Sequence, residues 1–194
     1  MNAVIRQLAM LMAGWAFMIA SGCTSAPRGP YNPPTESQRN PLRAQELTQQ
    51  AAELIDREPA RAEALLRDAL SHDLYHGPAH NNLGVIYLNQ GKLYEAAHEF
   101  EWSRKLMPGH PDPRMNLALA LEKAGRIDEA LATYDSALEV YLNHLPTIQA
   151  LTRCQVRHGR QDERTPGYLK EIALRSETGG WREWARLHMS RSAP

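Results

Sequence analysis

The sequence predicts an all-α fold: a solenoid of about three to four stacked helical hairpins closed by a C-terminal helix. Three observations carry this. Ala, Leu, Glu and Arg are abundant and Phe occurs only twice in 194 residues, which suits helices better than sheets. Gly91, Gly125 and Gly159 recur at one interval of 34 residues. Apolar stripes of helical period run between those glycines.

The chain opens on a different kind of segment. Residues 1–22 hold one charged residue, Arg6, and then "LAMLMAGWAFMIA" from Leu8 to Ala20. That run of 13 residues is shorter than the roughly 20 a bilayer span needs. A basic start, a short apolar middle and a small-residue exit make a secretory signal peptide. The exit, Ala20-Ser21-Gly22-Cys23, resembles a bacterial lipobox, with Ala20 where Leu is usual. The resemblance implies cleavage before Cys23, which then carries diacylglycerol and palmitate-class acyl chains that anchor the protein. Thr24, not Asp, follows, which by the same resemblance favours the outer membrane, facing the periplasm. Ordinary cleavage after Gly22, leaving a soluble secreted protein, is the alternative.

Thr24 to Pro41 carries five prolines and almost no aliphatic side chain. Together with Cys23 it is expected to be a tether, 23–41, reaching about 50 Å at most. With Cys23 lipidated, Cys154 is the only remaining thiol, so no intramolecular disulfide can form, and a lone thiol is best buried. Loss of residues 1–22 leaves 172 residues with 21 basic and 22 acidic side chains. That length suits one core. The near-zero charge excludes the basic excess of a nucleic-acid binder.

The repeats occupy 42–176, in units near 43–76, 77–110, 111–144 and 145–176. In the best-formed unit Leu83, Ile86, Tyr87 and Gln90 share one helix face, and Ala96, Phe100, Ser103 and Met107 share the next. Gly91 between them suits the left-handed conformation that closes a helix. Small Gly84 and Ala96 let the two axes approach, and Pro108 stops the second helix. A shift of 34 places Leu117, Ala118, Leu121, Gly125, Ala130, Tyr134 and Ala137 in the same roles. This pattern resembles the tetratricopeptide repeat, with His80 where that family often has Trp. The outer units are degenerate: Gln49 and Arg57 replace Leu and Gly, and Arg164 replaces a packing Ala. Terminal units of a solenoid need only one buried face.

Thr165-Pro166 is expected to cap and start a helix running to about Ser176. Residues 177–194 supply a final helix with Trp181, Trp184 and Leu187 or His188 along one side. It reads as a lid on the last repeat.

Catalytic signatures are lacking: no phosphate loop, nucleophile elbow or zinc-protease helix is present. His72, His76 and His80 lie four apart, but Gly77-Pro78 interrupts them, so they are expected to be solvated turn residues. Cys154 and His158 are two donors on one helix, short of a structural metal site, and Cys154 falls at an inward position. No enzyme, metal or cofactor is expected.

In the family it resembles, the first helix of each pair lines a concave groove. This implies a partner-binding surface of Asn81, Asn82, Val85, Leu88 and Asn89, then Met115, Asn116, Leu119, Glu122 and Lys123, then Gln149, Arg153 and Arg157. Asn82 and Asn116, one period apart, would pair with an extended peptide backbone. Leu47, Ala51 and Pro78 stand where carboxylate-clamping members need polar or cationic groups. Arg153 and Arg157 would favour an acidic stretch at the far end. The expected function is a lipid-anchored adaptor or scaffold for a protein or peptide partner in the cell envelope. A pilotin-like assembly factor for a pilus, secretin or outer-membrane complex is one alternative. A weak envelope enzyme or enzyme accessory using Cys154/His158 is another, and a self-associating structural lipoprotein a third.

Overall fold

The computed structural model describes residues 36–191. The segments expected to be a signal peptide (1–22) and a tether as far as Thr35, with Cys23 and Thr24, lie outside the described residues. After a 3-10 turn at Glu36–Gln38 come α1 Pro41–Ala52, α2 Pro59–His72, α3 Gly77–Asn89, α4 Leu93–Leu106, α5 Asp112–Lys123, α6 Ile127–Val140, α7 Leu145–His158, α8 Thr165–Arg175 and α9 Gly179–Arg191. No strand occurs among the described residues. Within them no helix is long and apolar enough to cross a membrane.

Each hairpin packs on itself, α1 on α2, α3 on α4 and α5 on α6, and each second helix packs on the first helix of the next pair. The glycines at the 34-residue interval close three helices in the same way. Lys92 N donates to Tyr87 O at 2.9 Å and Gly91 N to Leu88 O at 3.2 Å, with Gly91 at φ 75°. Gly125 (φ 78°) and Gly159 (φ 63°) repeat that pair of bonds at the ends of α5 and α7. Arg57, where the first unit lacks glycine, keeps a negative φ. There the chain turns through residues 53–57, with Leu54 O accepting from Arg57 N and Glu58 N.

The core follows the small-against-large logic of the stripes. Leu83, Phe100, Ala96, Tyr134, Ala130, Leu66 and Leu151 are fully buried. Phe100 lies so close to Gly84 that an added Cβ would stand 2.6 Å from the ring. Ser103 Oγ donates to Gly77 O at 3.0 Å, joining the end of α4 to the start of α3.

Three local expectations need correction. Residues 39–41 are part of the folded unit, not of a tether. Asn40 caps α1 through Arg43 N at 3.1 Å and donates its own N–H to His72 O at 2.9 Å, while Arg39 Nε bonds Asp73 at 2.7 Å. At α8 the N-cap position is Arg164, and the leading amides are met by Asp162, whose Oδ1 accepts from Arg164 N and Thr165 N. Thr165 lies inside the helix, its hydroxyl buried against Gln155. His80 is not a solvated turn residue: it is fully buried inside α3. Its Nε2 donates to Leu74 O at 2.9 Å and its Nδ1 is 2.6 Å from Glu99 Oε2. The Gly77-Pro78 step begins a helix rather than ending one, because proline is tolerated in the first turn. His72 and His76 remain half-buried at the connection.

The last helix packs on α8. Along it Trp181 meets Trp184 edge to face at 5.4 Å, and Trp184 meets His188 at 4.6 Å. His188 thus completes the stripe, and Leu187 is 47% exposed.

Candidate partner-binding groove

The first helices of the hairpins, α1, α3, α5 and α7, also touch one another in series and form one inner wall. Side chains on that wall meet their neighbours about one repeat along the chain. Asn116 Nδ2 on α5 donates to Asn81 Oδ1 on α3 at 3.0 Å. Asn81 Nδ2 in turn points to Asn82 Oδ1 at 3.5 Å. The amides form a short relay that leaves Asn82 Nδ2 and Asn116 Oδ1 without a hydrogen bond among the described residues. A donor and an acceptor on these half-buried side chains are therefore left for another partner, the set an extended backbone needs.

Val85, Met115 and Leu119 are half-buried on the same wall, while Asn89 and Lys123 are exposed. Leu88 is only 5% exposed: it packs inward and offers no contact surface. At the far end, Leu119, Glu122, Lys123, Arg153, Arg157 and His158 line a cavity of about 320 Å³. Glu122 organises it from below. Its Oε1 accepts from Arg157 Nη1 at 3.0 Å and lies 3.8 Å from His158 Nε2, and its Oε2 accepts from the Tyr134 hydroxyl at 3.2 Å. Burial, and then the Glu122 charge, push the Tyr134 hydroxyl well above its ordinary range.

Cys154 is fully buried beside this carboxylate. Burial first, and Glu122 second, raise its thiol to about 11, against the opposite pull of Arg157 and Arg153. A thiol so held is protonated at neutral pH and is no nucleophile. Arg153 sits between two recesses. Its guanidinium stacks over Trp181 at 5.9 Å, and its Nε is buried without a hydrogen-bond partner. The second recess, about 340 Å³, is lined by Arg153, Thr178, Gly180, Trp181 and Trp184. Gln149, further up α7, is engaged with Ser176 at 2.9 Å and turns toward the last hairpin.

Two models of the tetratricopeptide repeat match the sequence, one over residues 52–101 and one over 91–154, and together they span more than half of its 194 residues. The chain belongs to the tetratricopeptide-repeat family. No curated protein sequence matches it. Similar solved structures include the first tetratricopeptide domain of Spaghetti (RPAP3) bound to an HSP90 peptide, at 15% identity and TM-score 0.58, covering 63% of this chain and 98% of that one. The Sgt2 tetratricopeptide domain from Aspergillus fumigatus matches at 19% identity and TM-score 0.58, over 65% and 85% of the two chains. MamA from Desulfovibrio magneticus matches at 15% identity and TM-score 0.55, over 77% and 76%.

Within this tetratricopeptide frame the sequence placed Asn81, Asn82 and Asn116 on one wall, but not the bond between Asn116 and Asn81. It paired Asn82 with Asn116 at the period of 34, whereas two hydrogen bonds across the wall, Asn116 to Asn81 and Arg157 to Glu122, span 35. Glu122 as the buried hub, Tyr134 beneath it and Trp181 against Arg153 carry no local signature. Scanning for polar pairs one period plus one residue apart would have found the first.

Proposed function

We propose that this tetratricopeptide protein is a lipid-anchored adaptor that holds an extended segment of a partner protein along its inner wall. The observation that carries the reading is the amide relay, which leaves a donor on Asn82 and an acceptor on Asn116 without a partner among the described residues. An extended segment lying there would run on to Lys123, Arg153 and Arg157, so acidic residues on it are favoured at the α7 end. Similar structures hold HSP90 and HSP70 peptides, which supports a peptide segment as the occupant. The anchor rests on the lipobox resemblance ending in Cys23, and Thr24 favours the outer membrane facing the periplasm. Such a protein would bring its partner to a membrane-bound assembly of the cell envelope.

The test is capture from detergent-solubilised envelope on the immobilised Cys23→Ser chain, beside the same chain carrying Asn82→Ala and Asn116→Ala with its helical signal intact. A defined partner retained by the parent and lost from the variant supports the groove. Equal retention by both removes it.

A further inference from the structure

We infer that Glu122, Cys154 and His158 form a binding site for one transition-metal dication of the Zn²⁺ class, opening onto the groove. This goes beyond the adaptor reading and does not depend on it. One donor atom from each residue lies within 4.8 Å of the other two. A tetrahedral ion with bonds of about 2.0–2.3 Å sets its donors about 3.5 Å apart, so the furthest pair must approach by about 1.3 Å at most.

The fold divides the donors into fixed and movable ones. Cys154 and Glu122 are buried, and the Tyr134 hydroxyl holds Glu122 by Oε2, leaving Oε1 toward the cavity. A hydrogen bond of that kind orients a metal-binding carboxylate. His158 is the last residue of α7, one turn from Cys154 on the same face and just before the left-handed Gly159. Its side chain is 31% exposed, and its Nε2 already lies 3.8 Å from Glu122 Oε1.

The donor chemistry is selective. Thiolate and imidazole together favour Zn²⁺, Co²⁺ and similar ions over Mg²⁺ or Ca²⁺, which prefer all-oxygen sets. Binding replaces the Cys154 S–H bond with an S–metal bond and releases that proton to solvent. The competitor for Glu122 Oε1 is Arg157, whose side chain is 58% exposed. The guanidinium is displaced into water, and the metal ion takes over the pairing of the buried Glu122 carboxylate. Three protein ligands leave a fourth position, and here it faces the cavity lined by Leu119, Lys123 and Arg153. That position is open to water or to a carboxylate or imidazole of an incoming ligand.

The test uses the untagged full-length Cys23→Ser chain, in which Cys154 is the only thiol, titrated with Co²⁺. The expected result is a thiolate-to-cobalt charge-transfer absorption that saturates at one equivalent and is bleached by Zn²⁺. Cys154→Ser abolishes the band. Glu122→Gln and His158→Gln weaken binding at least about tenfold, as changes around metal ligands already do. Arg157→Gln tightens it, because the competing guanidinium is gone. His158→Gln alters an accessible helix-end side chain, and circular dichroism confirms its fold, so its loss of affinity is not unfolding. No saturable band, a band unchanged by His158→Gln, or weaker binding by Arg157→Gln would each overturn the site.

Discussion

His80 Nδ1 lies 2.6 Å from Glu99 Oε2, and this buried contact ties α3 to α4 at the position where the family usually places a tryptophan. The neighbouring Trp102 stacks on the imidazole at 5.6 Å with the planes 12° apart. An aromatic stack and a polar pair thus replace one large side chain. Removing either partner leaves the other in a site from which water is excluded. His80→Ala and Glu99→Ala are each expected to cost about 2–4 kcal/mol, with the double variant costing less than their sum. Urea unfolding of the four chains checks this, and strict additivity would count against a coupled pair.

Gly84 and Gly91 differ in why they are glycines. A Cβ at Gly84 would meet the Phe100 ring at 2.6 Å, whereas at Gly91 nothing lies within 4 Å and only the φ of 75° is at stake. Gly84→Ala is expected to destabilise by about 1–3 kcal/mol through overpacking, with partial relief in a Phe100→Leu background. Gly91→Ala is expected to cost about 1 kcal/mol through backbone strain, and Phe100→Leu should not relieve it. Thermal unfolding of the two pairs separates these causes.

Cys154 should resist alkylation in the folded, metal-free protein. With its thiol raised to about 11 by burial and Glu122, a thiol-specific reagent at pH 7.5 should label the native Cys23→Ser chain only as fast as it opens. Denaturant should accelerate labelling by about a hundredfold or more. Rapid native labelling would place Cys154 at the surface and revive a nucleophilic role.

Asp73 gives the acid side of the stability profile. Burial by itself raises its carboxyl, but Arg39, the Tyr75 amide and His76 outweigh it and hold the native group below its ordinary value. A carboxyl lowered on folding stabilises fully above its unfolded pKa, near 4, and that contribution is lost as pH falls through the lower native value. The stability gap between the parent and Asp73→Asn should be constant above about pH 5 and shrink below pH 4. Chemical unfolding at stepped pH measures it, and a gap that widens in acid would contradict the sign.

Much of the architecture was legible because each repeat states its own geometry. Leu83, Tyr87, Ala96 and Phe100 follow helical spacing, and Gly91 sits where only a left-handed residue ends a helix and reverses the chain. His80 was misread for a physical reason. Three histidines four apart beside Gly-Pro resemble a turn, and the partner that buries the third, Glu99, lies on the following helix. Likewise Thr165 carries the residue type of a cap, while Asp162, three residues earlier, reaches the exposed amides first. In the groove, family position pointed to Asn82 and Asn116, which are half-buried, and to Leu88, whose side chain the helix rotation turns into the core.

The 34-residue period, the glycines that end helices and the small-against-large alternation are local properties. They determined the hairpins and their order because each is satisfied within a helix or between adjacent helices. Which polar groups meet across the wall depends instead on helix rotation and the lean of side chains, and these are decided only when hairpins stack. That stacking set Asn116 against Asn81 rather than Asn82. It also laid Trp181 against Arg153 and brought Glu122 of α5 beside Cys154 and His158 of α7. No spacing within one helix joins those last three residues; the packing of α5 on α7 does.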